Sequence, residues 1–189
     1  MVDTEFRHPL IMNLLMFSGE ATLLLALSYQ LSKNPQAAAK HQKNKVNPLV
    51  FAAPALLDTL GSFLNFTGMM LISSGTFHIM RMLCMVFVVL LSVHVLRKKY
   101  NMLQYFAVGL VVCGLIVDYE TFSIVSPTTD SNTAILGMMA LLGGQFFHAT
   151  HAILEEHILT RAAGQEPLYM AGWEGIFGLF ISMMLLVPA

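Results

Sequence analysis

The chain has 189 residues, of which 56% are hydrophobic and only 11% are charged, and its mean hydropathy is +0.68. Because a soluble domain carries about 25% charged residues, this composition argues against a soluble globular enzyme. The formal net charge of −1 argues against a nucleic-acid-binding protein, which needs a clustered basic surface.

Six apolar stretches can cross a bilayer, whose hydrocarbon core of about 30 Å requires about 20 apolar residues in a helix. Each stretch must be helical, because lipid cannot bond an open backbone. The sequence therefore predicts an all-α polytopic membrane protein with about six transmembrane helices in a single domain, 1–189. Only Ser73 and Ser74 separate the second span from the third, which predicts a tight hairpin. The predicted spans are 9–31, 48–72, 75–96, 102–117, 133–159 and 167–188.

The basic residues concentrate in alternate connections between these spans. Three connections on one side of the membrane hold eight of the ten lysines and arginines: Lys33, Lys40, Lys43, Lys45, Arg97, Lys98, Lys99 and Arg161. Basic loops favour the cytoplasmic side of a membrane. We therefore expect these loops to face the cytosol or the mitochondrial matrix, in a mitochondrial inner membrane or an endomembrane such as the Golgi or lysosome.

Ionisable side chains within the predicted spans form the candidate site. They are Glu20 in the first span, Asp58 in the second, and His78 with Arg81 in the third. Each costs about 2.5 to 3.5 kcal/mol to insert, so each needs a polar partner or cavity. Arg81 is interpreted either as an anion or proton-coupling site with a carboxylate as counter-charge, or as half of an ion pair that only joins two helices.

The fifth span carries three residues of metal-ligand type. His148, His151 and Glu155 share one helical face. No second helix offers a complementary motif, so neither a metal ion nor another cofactor is predicted. The sequence also lacks a recognisable nucleophile, phosphate loop or hydrolytic carboxylate pair, and we therefore expect no enzymatic activity.

The sixth span carries a row of small residues. Gly172, Gly175 and Gly178 are spaced three apart, which lets a second helix approach closely. We interpret these glycines as helix-packing positions.

Several short segments together resemble the F-type branch of solute carrier family 35, in the drug/metabolite transporter superfamily that includes the nucleotide-sugar transporters. The resemblance covers nearly the whole chain. It rests on Phe6-Arg7-His8-Pro9, Met16-Phe17-Ser18-Gly19-Glu20, Pro54-Ala55-Leu56-Leu57-Asp58, Phe77-His78-Ile79-Met80-Arg81, Leu154-Glu155-Glu156 and the run from Gly172 to Gly178.

The resemblance implies a fold of ten helices, arranged as two inverted repeats that alternate access to a central cavity. It also implies that Glu20, Asp58 and Arg81 occupy intramembrane polar positions. The chain corresponds to about helices two to seven, an incomplete transporter fold. It departs from the family pattern at Met82, His151 and His157.

Two functions follow from this comparison. Because about six helices cannot enclose a solute pathway unaided, the first expectation is a non-catalytic accessory subunit of a larger membrane complex, such as a mitochondrial respiratory assembly. Its partners would be other membrane-protein subunits and lipids, and no nucleic acid. The alternative is a solute carrier, or a fragment of one, that moves a nucleotide-sugar-like or other small-molecule anion by alternating access.

Overall fold

The computed structural model describes residues 9–34, 47–72, 74–125, 131–161 and 167–186. Every regular element in these ranges is helical, which confirms the predicted all-α polytopic membrane fold. A 3-10 turn at Pro48–Phe51 precedes the third helix. The helices are α1 Pro9–Ala21, α2 Leu23–Lys33, α3 Ala52–Leu71, α4 Ser74–Arg81, α5 Leu83–Val95, α6 Met102–Val125, α7 Ser131–Arg161 and α8 Pro167–Leu186.

Four segments of the described chain are long and apolar enough to cross a membrane: Ile11–Lys33, Pro48–Leu71, Gly75–Val95 and Pro167–Leu185. They coincide with the predicted first, second, third and sixth spans. α6 has a shorter apolar stretch at Met102–Gly114, and α7 extends over 31 residues. The fourth and fifth spans therefore stay predictions. Ser73 of the predicted hairpin and most of the first basic connection, 35–46, lie outside the described residues.

The first and third spans each consist of two helices that meet at one residue. Thr22 joins α1 to α2, and Met82 joins α4 to α5. Both residues keep right-handed helical dihedral angles, with φ and ψ of −65° and −18° at Thr22 and −63° and −20° at Met82. Each span therefore continues through a local irregularity and does not turn back.

Side chains flanking the helices fix where two of them begin. Oδ1 of Asn47 accepts a hydrogen bond from the backbone N–H of Leu49 at 3.2 Å, and Pro48 occupies the first turn, where its missing N–H is tolerated. Before α6, Oδ1 of Asn101 accepts from Met102 N at 3.0 Å, while Oε1 of Gln104 accepts from Asn101 N at 2.7 Å. The Gln104 bond is one half of a capping box, and the two bonds together set the start of α6.

The end of α5 is a tight turn. The Ser92 carbonyl accepts hydrogen bonds from the N–H groups of Leu96, at 3.1 Å, and Lys98, at 3.3 Å. Between them, Arg97 has a φ of 51°, in the left-handed region that closes such helix ends. The turn fixes the backbone that carries Arg97, Lys98 and Lys99, whose side chains are exposed.

Hydroxyl groups on the first span bond to their own helix. The side chains of Ser18, Thr22, Ser28 and Ser32 donate to carbonyl groups three residues earlier, at 2.6 to 2.8 Å. This pattern satisfies a polar group without help from water or a second helix.

By contacts, the chain divides into two compact units. The terminal unit comprises the described parts of 1–59 and 154–189, and the central unit comprises 60–153. Helices α3 and α7 contribute residues to both. The prediction of one transmembrane domain stays a prediction.

The terminal unit is held together by α8, which packs against α1, α2 and the 3-10 turn. Its buried core consists of Leu27, Phe51, Tyr169 and Met170. The rings of Phe51 and Tyr169 meet edge to face, with centroids 5.8 Å apart, a favoured aromatic geometry.

The three predicted packing glycines lie on α8 in the terminal unit. A methyl group at Gly175 would lie 2.5 Å from the backbone nitrogen of Ala21, and one at Gly172 would lie 2.5 Å from Cγ of Leu24. A methyl group at Gly178 would overlap the ring of Phe17. The backbone of α8 therefore approaches α1 and α2 at positions where a larger side chain would hold the helices apart.

In the central unit, α4, α5 and α6 contact one another, and the first part of α7 packs against the second part of α3. A methyl group at Gly68 would lie 2.5 Å from Cγ of Leu141, and one at Gly144 would lie 3.0 Å from the Gly61 carbonyl oxygen. Residue numbers rise along one helix as they fall along the other, so the pair is antiparallel.

Candidate functional site

The central unit contains a partly open cavity of about 540 Å³ between α4, α5 and α7. Its polar lining comes from His78 and Arg81 on α4 and from Gln145 and His148 on α7. The other described lining residues are Met82, Cys84 and Met85, and none of the described lining residues is acidic. The wall is thus largely apolar, and the guanidinium of Arg81 gives it a permanent positive charge.

Helix α4 places His78 and Arg81 three residues apart, on one face of its last turn. The ring of Phe77 lies edge to face with His78, with centroids 5.4 Å apart. Both His78 and Arg81 are exposed, whereas Phe77 is buried. An arginine at membrane depth has to face a polar partner or a water-filled cavity, and here Arg81 lines one.

Helix α7 supplies the other polar residues. Gln145 is 1% exposed, and its Nε2 donates a hydrogen bond of 2.6 Å to Oδ1 of Asn65 on α3. The imidazole of His148 lies over Gly61, where a methyl group would come within 3.2 Å of three ring atoms. The close approach of α3 and α7 at Gly61 and Gly144 therefore positions Gln145 and His148 at the cavity.

This lining is suited to an anionic group. The guanidinium of Arg81 carries a permanent charge and presents paired donors that match a carboxylate or phosphate. Histidines can donate or accept hydrogen bonds and add charge when protonated. Small-molecule sites generally have volumes of about 300 to 1,000 Å³, so the cavity can hold a metabolite.

The structure divides the four predicted site residues between the two units. His78 and Arg81 lie together in the central unit, whereas Glu20 and Asp58 lie half-buried in the terminal unit. The predicted pairing of Arg81 with either carboxylate stays a prediction.

The predicted absence of a metal and of any other cofactor also stays a prediction. Within the described ranges, no three His, Cys, Asp or Glu side chains are gathered as a metal site would require. His148, one of the three residues of metal-ligand type, instead lines the cavity.

Gln145 is a cavity residue that the sequence analysis missed. Its signal was a polar amide three residues before His148 within an apolar segment, which places both on one helical face. Its partner Asn65 lies 80 positions earlier in the chain. A single sequence offers no pattern that joins the two.

The chain is similar to a known protein family and to several curated proteins. A sequence model of the CRT-like, chloroquine-resistance transporter-like family matches residues 8–189. An uncharacterized protein of Schizosaccharomyces pombe is 30% identical over 170 residues, covering 89% of this chain and 51% of the relative. Solute carrier family 35 member F6 of Homo sapiens and that of Mus musculus are each 28% identical over 191 residues, covering 98% of this chain and 51% of the relative.

The chain thus spans about half the length of the curated relatives it matches. No solved structure matches it.

Proposed function

The chain belongs to the CRT-like, chloroquine-resistance transporter-like family, and its similarity to solute carrier family 35 member F6 confirms the predicted resemblance to the F-type branch of that solute carrier family. We propose that it binds an anionic solute as part of a membrane carrier. The solute would be a nucleotide-sugar-like or other small anionic metabolite. The observation that carries this proposal is the central-unit cavity, where Arg81 lies with His78, Gln145 and His148 and none of the described lining residues is acidic.

The charge of Arg81 is the physical reason for choosing an anion. A buried or intramembrane cation is stabilised by an opposite charge and by hydrogen bonds. In this cavity the lining residues that the structure describes provide amide and imidazole groups but no carboxylate. A phosphate or carboxylate on the solute would supply that counter-charge.

Translocation would follow the alternating-access scheme that the resemblance implies. In such carriers, the solute site lies near the midplane between two repeats that move against each other. The cavity is partly open, and we propose that further helices, from a second repeat or a second copy, complete its wall.

Binding and uptake by the reconstituted protein test this function. The protein in liposomes is offered a nucleoside-diphosphate sugar, inorganic pyrophosphate and, as a cationic control, choline. We expect retention and uptake of an anion but not of choline. Arg81→Gln should weaken anion binding by about tenfold or more, because hydrogen bonds to charged groups contribute about 1.5 to 3 kcal/mol.

Two further variants serve as controls. Arg81→Lys keeps the charge but loses the paired donors, so it should bind with intermediate affinity. Arg161→Gln removes one exposed charge at the end of α7 and should bind like the unmodified protein. Equal anion binding by the unmodified protein and Arg81→Gln would contradict the proposal.

A second candidate is a non-catalytic accessory subunit of a larger membrane complex, such as a mitochondrial respiratory assembly. It is favoured by α6, whose apolar side chains lie largely uncovered: Met102 is 84% exposed, Leu103 77%, Phe106 68% and Leu110 59%. Partner subunits could cover this surface in place of lipid. Comigration with a large assembly on a native gel would support this role, whereas a free monomer or dimer would exclude it.

The protein is an integral membrane protein, and its orientation and compartment belong to the proposal. We propose that Arg97, Lys98, Lys99 and Arg161 face the cytosol or the mitochondrial matrix, as their charge favours. A cysteine introduced at Lys99 should then react with an impermeant thiol reagent applied from that side only. Cell fractionation would distinguish the mitochondrial inner membrane from the Golgi or lysosome.

A further inference from the structure

A second concavity of the central unit adjoins the solute cavity. This groove, of about 340 Å³, lies between α5 and α6 and is almost entirely apolar. Its walls include Val88 on α5 and Val108 and Val111 on α6. Cys84 and Met85 line both the groove and the solute cavity, so the two spaces meet at these two side chains.

The cavity and the groove follow one face of the third span. His78, Arg81 and Met85 are three and four residues apart, and Val88 follows Met85 by three, which is the spacing of a single helical face. The span continues through Met82 with helical dihedral angles. From residue 81 to residue 88 a helix rises about 10 Å. The polar cavity therefore passes into the apolar groove over a short distance along this face.

The two ends of this surface differ in chemistry. At the cavity end, the guanidinium of Arg81 carries a permanent positive charge and presents paired donors that match a carboxylate. At the groove end, Tyr100 and Gln104 are polar, but none of the described lining residues is charged. A fully polar anion would fill only the cavity. A solute that has both an anionic group and an apolar tail would match the cavity and the groove together.

We propose that the solute is an amphipathic organic anion, with its carboxylate at Arg81 and a single apolar tail in the α5–α6 groove. This inference rests on the proposed function, because it assigns a substrate class to the same cavity. The tail passes Met85, which is 61% exposed and whose flexible thioether adapts to different apolar shapes. A tail of about eight carbon atoms spans the distance from residue 81 to residue 88. The anion enters from water as a free solute.

A series of carboxylates with increasing tail length tests the proposal. Binding of acetate, butyrate, hexanoate and octanoate to the whole chain in phosphatidylcholine nanodiscs is measured by equilibrium dialysis, and protein-free nanodiscs measure partition into lipid. We expect the affinity to rise about two- to fourfold for each added methylene group, since burial of a methylene group is favourable by a factor of about four. Octyltrimethylammonium, which has an eight-carbon tail but the opposite charge, should not compete with octanoate.

Substitutions at the two ends separate the charged group from the tail. Arg81→Gln should weaken binding of octanoate and of inorganic pyrophosphate alike, by about tenfold or more. Val111→Phe fills the groove and should weaken octanoate binding about tenfold more than pyrophosphate binding, because the burial of several methylene groups is lost. Val112→Phe adds the same volume at a residue that is 37% exposed and is not among the described lining residues of the groove, so it should bind both anions like the unmodified protein. Thermal unfolding of each variant checks its fold.

The outcomes distinguish this inference from the proposed function. If pyrophosphate binds but octanoate binds no more tightly than acetate, the tail site is wrong and the proposed function stands. If no anion binds, both are wrong. Unchanged octanoate binding by a folded Val111→Phe would also overturn the tail site. So would loss of octanoate binding, but not of pyrophosphate binding, when phosphatidylglycerol replaces phosphatidylcholine, since a lipid would then be the occupant. Should Val111→Phe fail to fold, the series of tail lengths still decides the matter.

Discussion

The terminal and central units both rely on glycines to bring antiparallel helices together, but the glycines meet different neighbours. In the terminal unit, Gly172 and Gly178 on α8 lie against Leu24 and Phe17. In the central unit, Gly61 lies beneath the imidazole of His148. In the terminal unit, the missing side chain of glycine allows an apolar contact between helices. In the central unit, it leaves room for a polar side chain, that of His148.

The two units differ in how much packing and interhelical hydrogen bonding contribute to their stability. Helix association in lipid depends on packing and on hydrogen bonds between helices, because lipid is as apolar as the helix surface. Packing dominates in the terminal unit, whose core is Leu27, Phe51, Tyr169 and Met170. The terminal unit also has a long buried hydrogen bond of 3.4 Å, which Asn13 Nδ2 donates to the Thr59 carbonyl. The central unit has a shorter one of 2.6 Å between Gln145 and Asn65. The effects of substitutions on stability should therefore differ in size and kind between the two units.

The largest effect should come from emptying the terminal core. Phe51→Ala removes a fully buried ring and its contact with Tyr169, and should destabilise the protein by about 3 to 5 kcal/mol. Leu49→Ala, on the same 3-10 turn but 69% exposed, should change stability little. Reversible unfolding in mixed micelles measures both. Equal losses of stability in Phe51→Ala and Leu49→Ala would show that the 3-10 turn is not packed as described.

A smaller loss is expected from separating α1 and α8. Gly175→Ala places a methyl group 2.5 Å from the backbone of Ala21, which cannot rotate away, so we expect destabilisation of about 1 to 3 kcal/mol. Gly109→Ala in α6 meets no atom within 4 Å and should be neutral or slightly stabilising. A neutral Gly175→Ala in the same unfolding assay would argue against this helix contact.

In the central unit, a double-mutant cycle isolates the hydrogen bond. Asn65→Leu and Gln145→Leu should show a coupling of about 0.6 kcal/mol or more, up to about 1.7 kcal/mol, which are the average and the maximum found for polar pairs between membrane helices. Thr67→Val combined with Gln145→Leu is the control, because Thr67 bonds to the Phe63 carbonyl of its own helix. The losses of stability caused by these two control substitutions should add. Additive effects at Asn65 and Gln145 would contradict the contact.

The smallest expected effect is a gain in stability from a substitution at Arg97. Arg97 adopts a φ of 51°, which only glycine accommodates without strain. Arg97→Gly should therefore stabilise the protein in neutral detergent by about 0.5 to 1 kcal/mol, because the left-handed conformation costs a side-chain-bearing residue about 1 to 2 kcal/mol, which exceeds the roughly 0.5 to 1 kcal/mol of extra conformational entropy that glycine loses on folding. Lys99→Gly removes the same charge from a residue without a positive φ and should be neutral or destabilising. Loss of stability in Arg97→Gly would show that the turn does not strain this residue.

The sequence predicts the spans well wherever length and apolarity alone define them. The predicted spans 9–31 and 167–188 correspond to Ile11–Lys33 and Pro167–Leu185. The irregularities at Thr22 and Met82 were not predicted, because a residue that keeps helical dihedral angles leaves no mark in composition. The extension of α7 to Arg161 was missed in part, since its last turn is polar but still helix-forming.

The site was predictable only within one helix. His78 and Arg81 are three residues apart, so helical periodicity alone places them on one face. Contacts between helices are different, because pairing such as that of Asn65 with Gln145 depends on which faces meet. The sequence grouped Glu20 and Asp58 with Arg81 by chemical type, whereas the structure assigns those carboxylates to the terminal unit.

The hydroxyl groups of the first span affect how this segment enters lipid. A hydropathy scale assigns a cost to the polar side chains that leave water, as if they formed no new hydrogen bond in the membrane. The residues concerned are Ser18, Thr22, Ser28 and Ser32. Each of these hydroxyls instead donates to a carbonyl of its own helix, so most of that dehydration penalty is already offset before the helix meets lipid. The segment is therefore more soluble in hydrocarbon than its composition suggests, and these positions can face acyl chains directly.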